Sequence, residues 1–99
     1  MGTCNAVDEV TVQGLTLMYD TRSRFRCVIR VGDMPMGAYP AMGMSEHIAR
    51  INAFMEGLMG DDLTISRSVK TTLETGYLLS FDVGVDGRSA IFTAELIQS

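Results

Sequence analysis

The sequence predicts an α+β fold: a single antiparallel sheet with one helix packed on it, in the order ββαβββ. Three observations carry that expectation. Two alternating apolar runs flank the dipeptide Asp86-Gly87, the strongest short-range signal of a β-hairpin. Behind Ser45, apolar residues recur at helical spacing. The remaining segments alternate with the period of a strand or carry turn residues.

The hairpin spans residues 77–96. A two-residue Asp-Gly loop sets Val85 against Arg88 and so fixes every later pair. Tyr77, Leu79, Phe81 and Val83 then oppose Leu96, Ala94, Phe92 and Ala90, all apolar and all on one face. Leu78, Ser80, Asp82 and Gly84 oppose Glu95, Thr93, Ile91 and Ser89 on the other. A slip of one residue would scramble both faces, so the agreement supports the register.

Upstream, residues 1–8 read as a flexible N-terminal tail and residues 9–98 as one domain. Residues 9–19 read as strand one, with Val10, Val12, Leu15 and Leu17, followed by a turn at Asp20-Thr21-Arg22-Ser23. Residues 24–31 form strand two, with Phe25, Cys27, Ile29 and Val31 on one face and Arg24, Arg26, Val28 and Arg30 on the other. A loop over 21–23 would set Tyr19, Leu17 and Leu15 opposite Phe25, Cys27 and Ile29, and Asp20 opposite Arg24. Residues 32–43 read as a loop, because two prolines and three glycines interrupt them. The helix covers 45–59, with Ser45 as its cap, Ile48, Ile51, Phe54, Met55, Leu58 and Met59 as its apolar stripe, and Gly60 as its stop. After Asp61-Asp62, residues 63–73 form strand three, with Leu63, Ile65, Arg67 and Val69 on one face and Thr64, Ser66, Ser68 and Lys70 on the other. Two strands, a helix and a three-stranded meander resemble the core order of roadblock and longin domains. The resemblance is one of topology and implies no site residue or activity.

At 99 residues the chain is one domain that buries about 60–68% of its unfolded surface, which leaves little room for both a dry core and a deep cavity. A net charge of −4 disfavours a protein whose whole surface holds nucleic acid or anionic lipid. No apolar run approaches the roughly 18 residues of a membrane helix. The N-terminal residues lack the basic and apolar regions of a secretion signal, so Cys4 and Cys27 are expected as free thiols in a reducing cytoplasm.

No segment carries a P-loop, a dinucleotide fingerprint or a nucleophile elbow. His47, the single histidine, could serve with Ser45 or Cys27 as a nucleophile–base pair. The simpler reading makes His47 a solvated first-turn residue, Ser45 a cap and Cys27 a core residue. One histidine and two distant cysteines do not match a zinc spacing, and Asp61-Asp62 reads as a solvated turn. No catalytic residue, cofactor or metal is therefore expected.

Three surface features remain. Arg24, Arg26 and Arg30 share one face of strand two, suiting either a solvated face or an anionic partner. That face lacks the aromatics of a nucleic-acid reader. Met34, Met36 and Met42 crowd the 32–43 segment with Tyr39, and Met44 follows it, as core filler or as an adaptable contact surface. Leu78, Ile91, Ile97, Val28 and Met18 would stay uncovered beneath a lone helix, a pattern that suits self-association. The expected function is a small non-enzymatic protein-binding module, homodimeric through its second sheet face. Arg24, Arg26, Arg30, Met34, Met36, Tyr39 and Met42 would be its contact residues. A mobile-element-type inhibitor of a larger enzyme or nucleoprotein complex is a more specific form. The alternative is a small-molecule domain with an apolar pocket between helix and sheet, lined by Phe54, Met55, Phe81, Phe92 and the methionine segment.

Overall fold

A computed structural model describes residues 6–59, 63–85 and 87–99. Its elements run β1 (Val7–Val12), β2 (Leu15–Asp20), β3 (Phe25–Val31), β4 (Met34–Met42), α1 (Met44–Met59), β5 (Thr64–Leu73), β6 (Gly76–Val85) and β7 (Arg88–Gln98). The expected hairpin is β6–β7, and its register is the expected one from Tyr77 opposite Leu96 down to Val85 opposite Arg88. Gly87 takes φ 76° in the turn, where an L-residue with a Cβ is disfavoured; Asp86 lies outside the described residues.

The antiparallel α+β class stands, but the single sheet does not. The strands form two sheets, a β1–β2 ribbon and a five-stranded sheet in the order β4-β3-β7-β6-β5. The large sheet with its helix follows ββαβββ, but its second strand is β4, in the segment expected to be a loop. Prolines forbid a central strand, not an edge strand. β4 pairs only with β3, and its two register shifts accommodate the Pro40-Ala41 and Met36 regions as bulges.

The expected strand one is the ribbon. Gln13 (φ 47°) and Gly14 (φ 82°) both take positive φ, as a two-residue type I′ turn requires. The chain therefore reverses in the middle of the 9–19 run. β2 pairs with β1 rather than with β3, and Asp20 stands opposite Val7, not Arg24. Its carboxylate instead binds Arg22, with Nη2 to Oδ2 at 2.9 Å. β1 begins at Val7, inside the expected tail; residues 1–5 lie outside the described residues.

The inner face of the large sheet carries Phe25, Cys27 and Ile29 from β3, Phe92, Ala94 and Leu96 from β7, and Leu79, Phe81 and Val83 from β6, all buried. Phe81 and Phe92 meet at its centre with ring centroids 6.0 Å apart, tilted by 56°. The covering layer has two parts. The helix contributes Met44, Ile48, Ile51 and Met55, and the ribbon contributes Val12 and Leu17 to the same core. Burying such side chains at about 1.5–3 kcal/mol each drives the packing.

Two further expectations change in detail. The helix begins at Met44, and its first intrahelical bond runs from His47 N to Gly43 O. Gly43 thus takes the cap position, and the Ser45 hydroxyl lies 3.4 Å from that of Tyr19. In β5 a bulge at Ser66 shifts the register between Ile65 and Arg67. Beyond it the alternation flips. Lys70 stands opposite buried Leu79 on the inner side, and Val69 stands opposite Ser80 on the outer side. The expected stops and turns at Gly60 and Asp61-Asp62 lie outside the described residues.

Two turn residues test this architecture. Gln13→Asn supplies a residue better suited to positive φ and is expected to raise stability by about 0.5–1 kcal/mol in thermal melts. A Cβ on Gly76 would run into the carbonyl oxygen of Leu96. Gly76→Ala is therefore expected to cost about 1–3 kcal/mol in denaturant titrations.

Candidate functional site

The outer face of the large sheet bears no covering element among the described residues. Its side chains follow from the ladder. One straight row crosses all five strands as Ala38, Val28, Glu95, Leu78 and Thr71. Arg26 and Arg30 lie two residues to either side of Val28 on β3, beside Ile97 and Thr93. Further along, Ile91, Asp82 and Arg67 form a second row. Ile91 is 52% exposed, and Val28, Leu78, Ile97 and Val69 are half-buried. The face thus mixes apolar side chains with charges of both signs. Among the described residues, the one ion pair within 4 Å is Arg22–Asp20.

The expected contact residues do not share one surface. Arg26 and Arg30 are exposed on the outer face. Arg24, just before β3, is exposed and donates from Nη2 to Ala41 O at 2.9 Å. Met34 is 64% exposed at the start of β4. Met36 is half-buried against the core, and Met42 is half-buried opposite Phe25. Tyr39 pairs with Cys27 on the inner side, and its ring lines a groove beside the helix. Met18, expected on the outer sheet face, is 54% exposed on the ribbon instead.

That groove, of about 430 Å³, lies between β4 and α1 and is lined by Tyr39, Arg50, Ala53, Phe54 and Gly57. Tyr39 and Phe54 meet edge-on with centroids 6.1 Å apart, and the Arg50 guanidinium carbon stands 4.6 Å from the Tyr39 ring centre. Gly37 fits closely against this wall, since a Cβ there would lie 3.1 Å from the Tyr39 hydroxyl and 3.2–3.3 Å from the rings of Tyr39 and Phe54. The sequence pointed to Tyr39 and Phe54 separately. It gave no signal for Arg50, because only the fold sets α1 beside β4. The apolar pocket expected between helix and sheet is filled, with Met55, Phe81 and Phe92 buried in the core.

His47 is fully buried, not a solvated residue. Its Nε2 meets the Phe25 carbonyl oxygen, so Nε2 carries the proton and donates. Nδ1 is then a buried lone pair without a hydrogen-bond partner. Burial holds the His47 pKa below its ordinary value against the Phe25 bond, which raises it, with the Arg50 charge lowering it further. Cys27, expected on the core face, is a buried free thiol whose pKa burial pushes up to about 12. It therefore carries almost no thiolate at neutral pH. His47 faces the Phe25 carbonyl, and Ser45 faces Tyr19. No group of three or more His, Cys, Asp or Glu side chains among the described residues is close enough to hold a metal ion. No described helix is long and apolar enough to cross a membrane.

Comparison with known proteins finds no family model, no curated protein and no solved structure that matches this chain.

The buried histidine predicts a pH dependence. Its pKa is lowered in the folded state, from an ordinary value of 6.5. Above that value both states are neutral and the fold keeps its full stability. As pH falls below it, the unfolded chain takes up a proton that the folded chain refuses. Stability then drops at about 1.4 kcal/mol per pH unit until the folded pKa is reached. Gln in place of His47 keeps a donor for Phe25 O and removes the titration. Denaturant midpoints between about pH 7 and about pH 5 are expected to fall for the natural chain and to fall less for His47→Gln.

Proposed function

We propose that this chain is a protein-binding module that self-associates through the outer face of its five-stranded sheet. The observation that carries the proposal is the combination of one bare face with two blunted edges. A sheet meets another protein by its edges or its faces. β4 carries Pro35, Pro40 and two bulges along one edge. β5 carries a bulge and turns Lys70 inward along the other, its Nζ 2.8 Å from Thr16 O. Prolines, bulges and inward charges are the devices that keep edge strands from pairing. The inner face is already covered, so the outer face is the remaining sheet surface.

Its charges suit a second copy. A two-fold axis along the seam between β3 and β7 lays Glu95 of each copy over Val28 of the other, between Arg26 and Arg30. The same operation sets Leu78 over Ala38. Packed sheets lie within about 30° of alignment, so a small rotation preserves these contacts. Opposed charges in that arrangement fix the register more than they add affinity. The apolar residues of the face supply the drive for association.

Sedimentation equilibrium tests the reading. The natural chain is expected to be a dimer. Glu95→Arg is expected to weaken association by roughly tenfold or more, because it sets three arginines together. The combined change Arg26→Glu, Arg30→Glu, Glu95→Arg reverses every charge of the seam and is expected to restore the dimer. A natural chain that stays monomeric at high concentration, or a triple variant no better than Glu95→Arg, would sink the proposal.

A further inference from the structure

We infer that the groove between α1 and β4 binds a small amphipathic carboxylate, its charge on Arg50 and its apolar body against Tyr39 and Phe54. This site is separate from the outer sheet face. Its walls are rigid rings, and ring edges and faces favour an aromatic or branched apolar group. Its volume of about 430 Å³ falls within the range of small-molecule sites, about 300–1,000 Å³.

Arg50 supplies the charge selection. Its guanidinium lies over the Tyr39 ring, and no described acid pairs with it within 4 Å. The guanidinium carbon stands 4.6 Å from the ring centre, and an approach of a cation to a ring face leaves N–H groups at its rim to donate. A carboxylate is the group that this planar fork binds with two parallel bonds.

The floor of the groove gives an independent reason. Ala53 and Gly57 are spaced by one helical turn on the exposed side of α1 and leave a trough. Glycine is among the poorest residues for a helix interior. Among the described residues, a Cβ at Gly57 would meet nothing within 4 Å, so their packing does not require glycine there. What its absence of a side chain secures is the open trough. The occupant is a small molecule and not an extended peptide, because the prolines and bulges of β4 deny a peptide strand a regular ladder to join.

Chemical-shift mapping with 3-phenylpropionate tests this on the full chain. Saturable shifts are expected at the amides of Tyr39, Ala53, Phe54 and Gly57. The uncharged 3-phenylpropionamide is expected to bind roughly tenfold or more weakly, and Arg50→Gln is expected to erase that difference. Besides burial, the Arg50 charge helps to hold His47 neutral, so a bound carboxylate is expected to raise the His47 titration midpoint. Gly57→Leu fills the trough with a better helix former. It is expected to melt no lower than the natural chain and to lose the shifts. No saturable shift at millimolar 3-phenylpropionate overturns the inference, as does undiminished binding by a folded Gly57→Leu chain. Equal binding of acid and amide overturns the part played by Arg50. A response to a phenylalanine-terminated peptide but not to the free acid gives the groove to a protein partner and overturns the small-molecule assignment.

Discussion

The pairing of β6 with β7 is the constraint on which the rest of the structure depends. It places Phe81 directly opposite Phe92, and the two rings form the centre of the core. β7 is also the strand on which β3 builds, with Ile29 opposite Ala94 and Cys27 opposite Leu96. One register therefore decides which side chains of three central strands face inward. A slip of one residue would exchange Leu79, Phe81 and Val83 for Leu78, Ser80 and Asp82, and would do the same to β3 through β7. The inner and outer faces are two readings of the same pairing.

The covering layer is fixed by a different kind of contact. The β1–β2 ribbon has no ladder to the large sheet, so apolar packing alone would leave it free to slide. Long side chains from the sheet and the helix reach strand carbonyls instead. Lys70 donates to Thr16 O and Tyr77 to Met18 O, which ties β2 to β5 and β6. His47 donates to Phe25 O, which ties α1 to the start of β3. Each such bond is worth only about 1 kcal/mol net, but each one is directional where apolar contact is not. His47 shows what this costs, because its second nitrogen is left buried without a partner.

The parts of the fold that were legible in the sequence are those where local signals and burial agree. Asp86-Gly87 and the alternation around it fixed a hairpin whose pairs all stand. The helix was legible because Ile48, Ile51 and Met55 repeat the burial period. The failures have equally local causes. Gly14 lies inside an apolar run that favours one continuous strand, yet with Gln13 it makes a turn. Pro35 and Pro40 signal a break in a central strand, yet an edge strand with bulges tolerates both. Ser66 flips the phase of β5, and no sequence period announces a bulge. His47 looked solvated because a first-turn polar residue usually is, and its burial comes from the start of β3 lying against that turn. Of the groove, the aromatic members could be named but not assembled, since Tyr39, Arg50 and Phe54 meet only once α1 lies beside β4.

The edge strand β4 joins the two surfaces on which the functional readings rest. Strand alternation sends Ala38 to the outer face, opposite Val28, and Tyr39 to the groove, opposite Cys27. Consecutive residues thus serve opposite sides of the molecule. The outer face is broad and mixes apolar side chains with charges of both signs, which suits a protein surface of similar extent. The groove is lined by aromatic rings and carries a single cation, which suits a small anion. A change to Glu95 alters the first without touching the lining of the second, and a change to Gly57 does the reverse. The methionine segment is therefore the edge strand that divides two surfaces, with Met36 packed against the core to hold it, Met42 half-buried opposite Phe25 and Met34 left exposed at its end.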